Sequence, residues 1–295
     1  MTSAVQKVVP PRRPVEGRLS RFVPAQLRAM LDEIDERTAR IPTRVNEYGY
    51  DPFGFDPVST RYSNLLMTWV YRNYLRVDRV PPGRVLLIAN HAGNTFAWDG
   101  AMLATAMFLE AEPPRLVRGM AEYFLPTLPF FNVMLHRAGS VVGRPENCVR
   151  LLQQGEAIMA FPEGERGFVK TYRQRYQLQR FGLGFMRLAL ETATPIVPIG
   201  IVGAEEQSPG LANVRSLGRL IGSPAFPITA TFPFLGLAGF LPLPVKFHIH
   251  FGNPVQFEGN PNEDDAAIQE RVDAVKEEIR RLIADGLAAR KSWFS

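Results

Sequence analysis

The chain has 295 residues, 46% of them hydrophobic, a formal net charge of +5 and a single cysteine, Cys148. That apolar content supports a sizeable core and excludes global disorder, and one cysteine excludes an intrachain disulfide scaffold. The mild basic bias fits an anionic membrane surface or a phosphorylated ligand, and its scattered charges argue against nucleic acid.

Residues 1–20 are rich in proline and arginine without the apolar stretch of a signal peptide, and read as a disordered leader. A helix is expected from Pro24, where Leu27, Met30, Leu31 and Ile34 recur at helical spacing. A turn-rich loop at 46–54 follows. A second helix is expected from about Ser63 to Leu75; its Leu65, Leu66, Met67, Trp69, Val70, Tyr71 and Tyr74 need cover from the core, a partner or lipid. Residues 21–79 thus form an N-terminal helical region.

From Val80 the pattern changes to strand, loop, helix. Strands are expected at 84–89, 116–118, 140–142, 157–161 and 196–201, with helices at Asp99–Leu109, Glu146–Gln153 and Gly184–Glu191 between them. Lys246–Phe251 is a last strand. The 261–295 region carries a C-terminal amphipathic helix, with Ile268, Val272, Val275, Ile279, Leu282 and Ile283 on its apolar face. The alternation over 80–260 predicts an α/β fold, a mostly parallel mixed sheet flanked by helices.

The segment between Arg219 and Lys246 has no charged residue and is long enough to span a bilayer as a helix. Its prolines at 224, 227, 233, 242 and 244 work against one continuous helix. A buried apolar loop, an interfacial membrane contact and a transmembrane helix remain open. Phe226, Phe232, Phe234, Leu235, Leu237, Phe240 and Leu241 would suit acyl chains in the first two.

The residues suited to chemistry lie just past strand ends. His91 follows the first strand in the small-residue run Asn90-His91-Ala92-Gly93-Asn94, which leaves the ring accessible. Asp99 on the same loop either caps the next helix or fixes the imidazole tautomer, making the second ring nitrogen a better base. Arg166, in Phe161-Pro162-Glu163-Gly164-Glu165-Arg166-Gly167, follows another strand and can take a phosphate or pair with Glu163 or Glu165. Arg144 follows a third strand, in Gly139-Ser140-Val141-Val142-Gly143-Arg144. Lys170, Arg173, Arg175 and Arg180, interleaved with Tyr172 and Tyr176, are suited to a cofactor's phosphates, to lipid headgroups or to a solvated face. His248 and His250 share a strand face, but no third ligand stands at metal-binding spacing, so no metal is expected. The Gly-x-Ser-x-Gly elbow, the Walker A loop and the dinucleotide fingerprint are absent from the sequence.

Taken in order, Asn90-His91…Asp99, Gly139–Arg144, Phe161–Arg166 and Pro195-Ile196-Val197-Pro198-Ile199 resemble the four blocks of the glycerolipid acyltransferases, lysophosphatidic acid acyltransferases included. The run Lys170 to Phe185 and the Pro- and Phe-rich stretch before Lys246 look closest to the monoacylglycerol/diacylglycerol acyltransferase-like branch. The resemblance implies that His91 is the catalytic base and Asp99 its orienting acid. It also implies that Arg144, Glu163, Gly164 and Arg166 bind substrate. Two departures stand out. Phe96 occupies the position where the family's spacing puts the acid, and Glu165 stands where a small polar residue is common. Both argue against a phosphate bound at this site and favour a neutral acceptor such as a mono- or diacylglycerol, or a lysophospholipid whose phosphate lies elsewhere.

The expected activity is O-acyl transfer from acyl-CoA or an acyl carrier protein to a hydroxyl of a lysophospholipid or a mono- or diacylglycerol. No acyl-enzyme and no permanently bound cofactor are expected. The expected partners are membrane lipids and the donor, with peripheral or monotopic attachment on the cytoplasmic side. The rivals are a non-catalytic lipid-binding protein of the same fold and an acyl thioesterase.

Overall fold

The computed structural model describes residues 24–41, 45–46, 48–70, 74–75, 79–121, 131–220 and 225–292. The leader expected at 1–20 lies outside them. Helix α1 (Ala25–Arg40) forms as its periodicity requires. Helix α2 (Pro57–Val70) starts and stops earlier than expected. Asp56 begins it by accepting hydrogen bonds from the Val58 and Ser59 amides (2.9 and 3.3 Å), and Pro57 has the fixed φ of a first helical residue. Tyr74–Leu75, expected to extend that helix, is instead the short strand β1.

The remaining elements alternate: β2 (Val85–Ala89), α3 (Trp98–Glu110), β3 (Val117–Ala121), α4 (Phe131–Arg137), β4 (Val141–Val142), α5 (Pro145–Gln153), β5 (Ala157–Ala160), α6 (Glu165–Phe168), α7 (Gly184–Thr192), β6 (Ile196–Val202), α8 (Ala204–Gln207), β7 (Gly210–Val214), α9 (Arg215–Leu220), β8 (Phe226–Thr229), β9 (His248–Phe251) and α10 (Asp265–Ala289). Among the described residues β1–β6 and β9 make one seven-stranded sheet, in the order β1-β9-β6-β2-β5-β3-β4. Every neighbouring pair is parallel except β6 with β9. This is the expected mixed, mostly parallel sheet.

Alternation along β2 divides the core. Val85, Leu87 and Ala89 face Met102, Leu103 and Ala106 of α3, while Leu86 and Ile88 face Leu151, Met186, Ile279 and Ile283 on the other side. Full burial of each large aliphatic chain contributes about 1.5–3 kcal/mol. Ile34 and Ile41 join Phe108 and Leu109 in a smaller cluster, so the N-terminal helical region covers α3. On α10, Asp264 caps the first turn through the Ala267 amide (2.8 Å), and the apolar stripe from Ile268 to Ile283 is buried.

The chain leaves β2, crosses to β3, and returns to place β5 between them before β6 is laid on the opposite side of β2. The loops after β2 and β5 therefore open together at a point where the chain's direction of winding reverses, the usual place for a site in such sheets.

The transmembrane-helix reading of 219–246 is corrected. Its described part holds β8, paired with β7 in a hairpin, and a 3-10 turn at Gly236–Phe240. No helix among the described residues is long and apolar enough to cross a membrane. Phe232 packs between Phe226 and Phe240. Phe234, Leu235, Leu237 and Leu241 point outward, with Leu237 86% exposed.

Candidate active site

His91 sits one residue beyond Asn90, whose side chain continues the sheet. The Asn90 amide accepts from the Ile201 backbone N–H (2.7 Å) and donates to the Ile201 carbonyl (3.0 Å), tying the end of β2 to β6. Glu163, after β5, does the same from the other side: its Oε1 accepts from the His91 backbone N–H at 2.9 Å. The residue carrying the imidazole is thus held by both neighbouring strands.

Asp99 folds back to the ring. Its Oδ2 lies 2.7 Å from His91 Nδ1 and accepts from the Ala92 amide at 2.7 Å, while Oδ1 accepts from the Gly100 amide at 2.8 Å. Asp99 lies in the first turn of α3, where the helix dipole favours a carboxylate, and it is fully buried. It is not the N-cap; that position is Ala97. A carboxylate at Nδ1 places the ring proton there, leaving Nε2 as the lone-pair nitrogen. Nε2 has no partner among the described residues, and the His91 side chain retains 12% exposure. The ring stacks on Phe161 (4.4 Å between centroids) and leans on Phe168 (5.4 Å), so its orientation is fixed by packing as well as by charge.

Glycines make the close approach possible. A Cβ at Gly167 would come within 2.9 Å of His91 Cβ and 2.7 Å of Glu163 Cβ, and one at Gly93 within 2.6 Å of the Phe96 carbonyl. Gly164 adopts φ +54°, a left-handed conformation that favours glycine. A histidine base oriented by a buried acid, at the mouth of a parallel sheet, is equipped to take a proton from a hydroxyl.

The family model described as Acyltransferase matches residues 73–202, which carry β1 through β6 and all of the residues just described up to Ile201. An uncharacterized protein of Mycobacterium tuberculosis is 37% identical over 84% of this chain and 72% of its own length. This chain belongs to the acyltransferase family. A mouse protein called DGAT1/2-independent enzyme synthesizing storage lipids is 23% identical over 77% of this acyltransferase and 64% of its own length. The crystal structure of the 1-acyl-sn-glycerophosphate acyltransferase PlsC from Thermotoga maritima shares the fold, with a TM-score of 0.50 at 16% identity over 80% of both chains.

The remaining expected residues of the acyltransferase divide into one that is buried and two that are exposed. Glu163, expected at the substrate, is buried: Oε2 accepts from the Gln179 amide (2.7 Å) and lies 3.5 Å from Lys170 Nζ. It positions His91 through the backbone. Arg144, just before α5, and Arg166, in α6, are exposed at the same sheet edge, and neither contacts His91 or has an ion-pair partner among the described residues. The pairing of Arg166 with Glu163 or Glu165 left open by the sequence does not occur.

Lys170 does not belong with the surface arginines either. It is buried between Glu163 and Glu205 (3.2 Å to the latter). Glu205 also accepts from the Tyr176 amide (3.1 Å), and the Tyr176 hydroxyl donates to Glu206 (2.5 Å), which pairs with Arg290 (3.0 Å). A chain of charged and hydrogen-bonded groups thus runs from the His91 backbone to the end of α10. Burial pushes the Glu205 carboxyl above its ordinary range against the pull of Lys170. Burial, with two glutamates nearby, likewise raises the Tyr176 hydroxyl.

Asn90, Phe161, Phe168 and Glu205 had no role in the sequence reading. Asn90 alone had a visible signal, a buried-type polar residue between an apolar strand and His91. Among the described residues no cluster of three or more metal-ligating side chains occurs, at His248 and His250 or elsewhere.

Proposed function

We propose that this acyltransferase moves a fatty acyl group from a thioester donor to the hydroxyl of a neutral glycerolipid, with His91 as general base. The observation carrying this reading is the His91–Asp99 contact at 2.7 Å, with Nε2 left unpartnered. The acceptor O–H gives its proton to Nε2, and the oxygen attacks the thioester carbonyl carbon. The tetrahedral intermediate collapses with cleavage of the C–S bond, and the imidazolium returns the proton to the departing thiolate. Asp99 stabilises the imidazolium in between.

A neutral acceptor is favoured by the ring's surroundings: the imidazole packs on Phe161 and Phe168 and bonds Asp99, and none of these partners is a cation. The likeness to the mouse storage-lipid enzyme points the same way. The acceptor is drawn from a membrane surface. Phe234, Leu235, Leu237 and Leu241, together with the exposed stripe Val58, Tyr62 and Leu66 on α2, form the apolar contacts.

The test is lipid mass spectrometry after incubation with palmitoyl-CoA or palmitoyl-acyl carrier protein and, in turn, monoacylglycerol, diacylglycerol and lysophosphatidic acid. A neutral ester is expected, reduced about 10²–10⁴-fold in a folded His91→Ala variant. Lysophosphatidic acid as the sole acceptor would overturn the neutral-acceptor reading. Free palmitate formed without an acceptor would make the protein a thioesterase. Lipid binding with no turnover of either donor would make it a carrier.

A further inference from the structure

A cleft lies away from His91. The loop following Lys170 and the C-terminal end of α10 border this shallow, open cleft of about 610 Å³. Its walls carry Tyr172, Arg173, Arg175, Tyr176, Arg290 and Lys291, and Glu206 is the one acidic residue lining it. Glu206 is already paired with Arg290, so the cleft is strongly cationic. Arg173 and Lys291 are exposed and have no ion-pair partner among the described residues.

Arg290 marks the site as built rather than incidental. Only 6% of its side chain is exposed. One guanidinium nitrogen, Nη1, bonds Glu206 and the Tyr176 hydroxyl, while the buried Nη2 has no hydrogen-bond partner among the described residues. A buried N–H without an acceptor is costly unless a ligand supplies one. Arg175 lies over the Tyr172 ring at 4.6 Å, giving a flat cationic and aromatic surface of the kind on which bases stack. Leu287 is the one aliphatic lining residue, so the cleft is unsuited to an acyl chain.

The cleft opens at the catalytic edge of the sheet. Glycine contacts set α10 along β6: Gly200 meets Leu282, and Gly286 meets Val202. The end of α10 therefore reaches the C-terminal end of β6, the edge from which His91 projects. The chain Glu163–Lys170–Glu205–Tyr176 joins the two places.

We infer that this cleft binds the phosphorylated nucleotide end of a coenzyme A thioester, with phosphates on Arg173, Lys291 and Arg290 and the base against Tyr172 and Arg175. The nucleotide binding stands on the cleft itself, while its assignment to an acyl donor rests on the acyl-transfer reading above. The flexible pantetheine arm then carries the thioester toward His91. An acyl carrier protein bears the same arm without the nucleotide, so occupancy of this cleft selects acyl-CoA as donor.

The experiment is calorimetric titration of the full chain with adenosine 3′,5′-bisphosphate, using wild type and the double variant Arg173→Ala/Lys291→Ala. Both substituted side chains are exposed, and a thermal melt checks that the fold is kept. Wild-type binding should weaken at least tenfold in the variant. The wild type should also prefer palmitoyl-CoA over palmitoyl-pantetheine as donor, and the variant should lose that preference. No nucleotide binding by the wild type, or binding that the variant leaves intact, overturns the inference. So does equal competition by inorganic phosphate, or binding of anionic vesicles in place of the nucleotide. Nucleotide binding without acyl transfer would sink only the proposed activity. Acyl transfer from an acyl carrier protein without nucleotide binding would sink only this inference.

Discussion

The His91 pocket and the arch at 232–241 draw on the same kind of side chains and treat them oppositely. Around His91, Phe161 and Phe168 pack on the ring, and the buried polar groups Asn90, Asp99 and Glu163 are bonded within the protein. In the arch, Phe232 is buried, but Phe234 is 71% exposed and Leu237 more so. Among the described residues the groups that hold His91 are bonded to one another, so the geometry of the His91–Asp99 pair exists before any substrate arrives. The arch is left incomplete in water, and an apolar surface outside the chain is what would complete it.

Removing the acid from the pocket gives the largest expected effect. Asp99→Asn preserves volume but loses the carboxylate that holds the Nδ1 proton and the imidazolium. Acyl-transfer kcat should fall about 10²–10⁴-fold. Near wild-type kcat in a folded variant would mean that packing by Phe161 and Phe168 orients the ring unaided.

The buried charge chain behind the pocket gives the next largest. Lys170→Met strands Glu163 and Glu205, both buried, and breaking such a set should cost about 3–5 kcal/mol of stability. Adding Glu205→Gln should recover part of it. The loss should also depend on pH in a defined sense. Burial already raises the Glu205 carboxyl, and removing Lys170 takes away the cation that opposes this. A carboxyl with a higher pKa folded than unfolded favours folding below its unfolded value. That contribution is lost as pH rises through the folded value. The deficit should therefore be smallest in acid and grow toward neutrality. A deficit independent of pH, read from urea titrations at several pH values, would show that Glu205 is not the stranded charge.

The same contrast explains what could be read from the sequence. The central strands were legible because Val85–Ala89 and Ile196–Val202 are apolar runs buried on both faces, as parallel strands must be. His91 was legible because it follows such a run. Asp99 was legible as either a helix cap or the ring's orienting acid, but which of the two it is was not. Phe96 occupies the shorter spacing, and only the course of the Ala92–Ala97 loop returns the helix start to the imidazole. Glu163 was expected at the substrate, and Lys170 at a cofactor's phosphates, a lipid headgroup or a solvated face, because nothing in the local pattern marks a buried charge. Their burial depends on Glu205 and Gln179, which local pattern does not bring near them. Strand β1 was missed because its partner among the described residues, β9, comes late in the chain. The β7–β8 hairpin was missed because Pro227 breaks the strand signal in β8.

The arch should separate binding from stability. Phe234, Leu237 and Leu241 are each more than half exposed, so Phe234→Ser/Leu237→Ser/Leu241→Ser should change folding stability by only about 0.5 kcal/mol per site. Inserted into lipid, however, each large apolar side chain gains about 1.5–3 kcal/mol when fully buried. Flotation with vesicles of mixed phosphatidylcholine and phosphatidylglycerol should show at least tenfold weaker binding, the equivalent of about 1.4 kcal/mol. Turnover of a water-dispersed acceptor should be little affected, because the hydrogen-bond and ring partners of His91 and Asp99 among the described residues lie outside 232–241. Vesicle binding unchanged in the triple variant would move the membrane contact to Val58, Tyr62 and Leu66 on α2. A fall in melting temperature of many degrees would mean that the arch packs on the core. The contrast with the His91 pocket would then fail, because both regions would be complete in water.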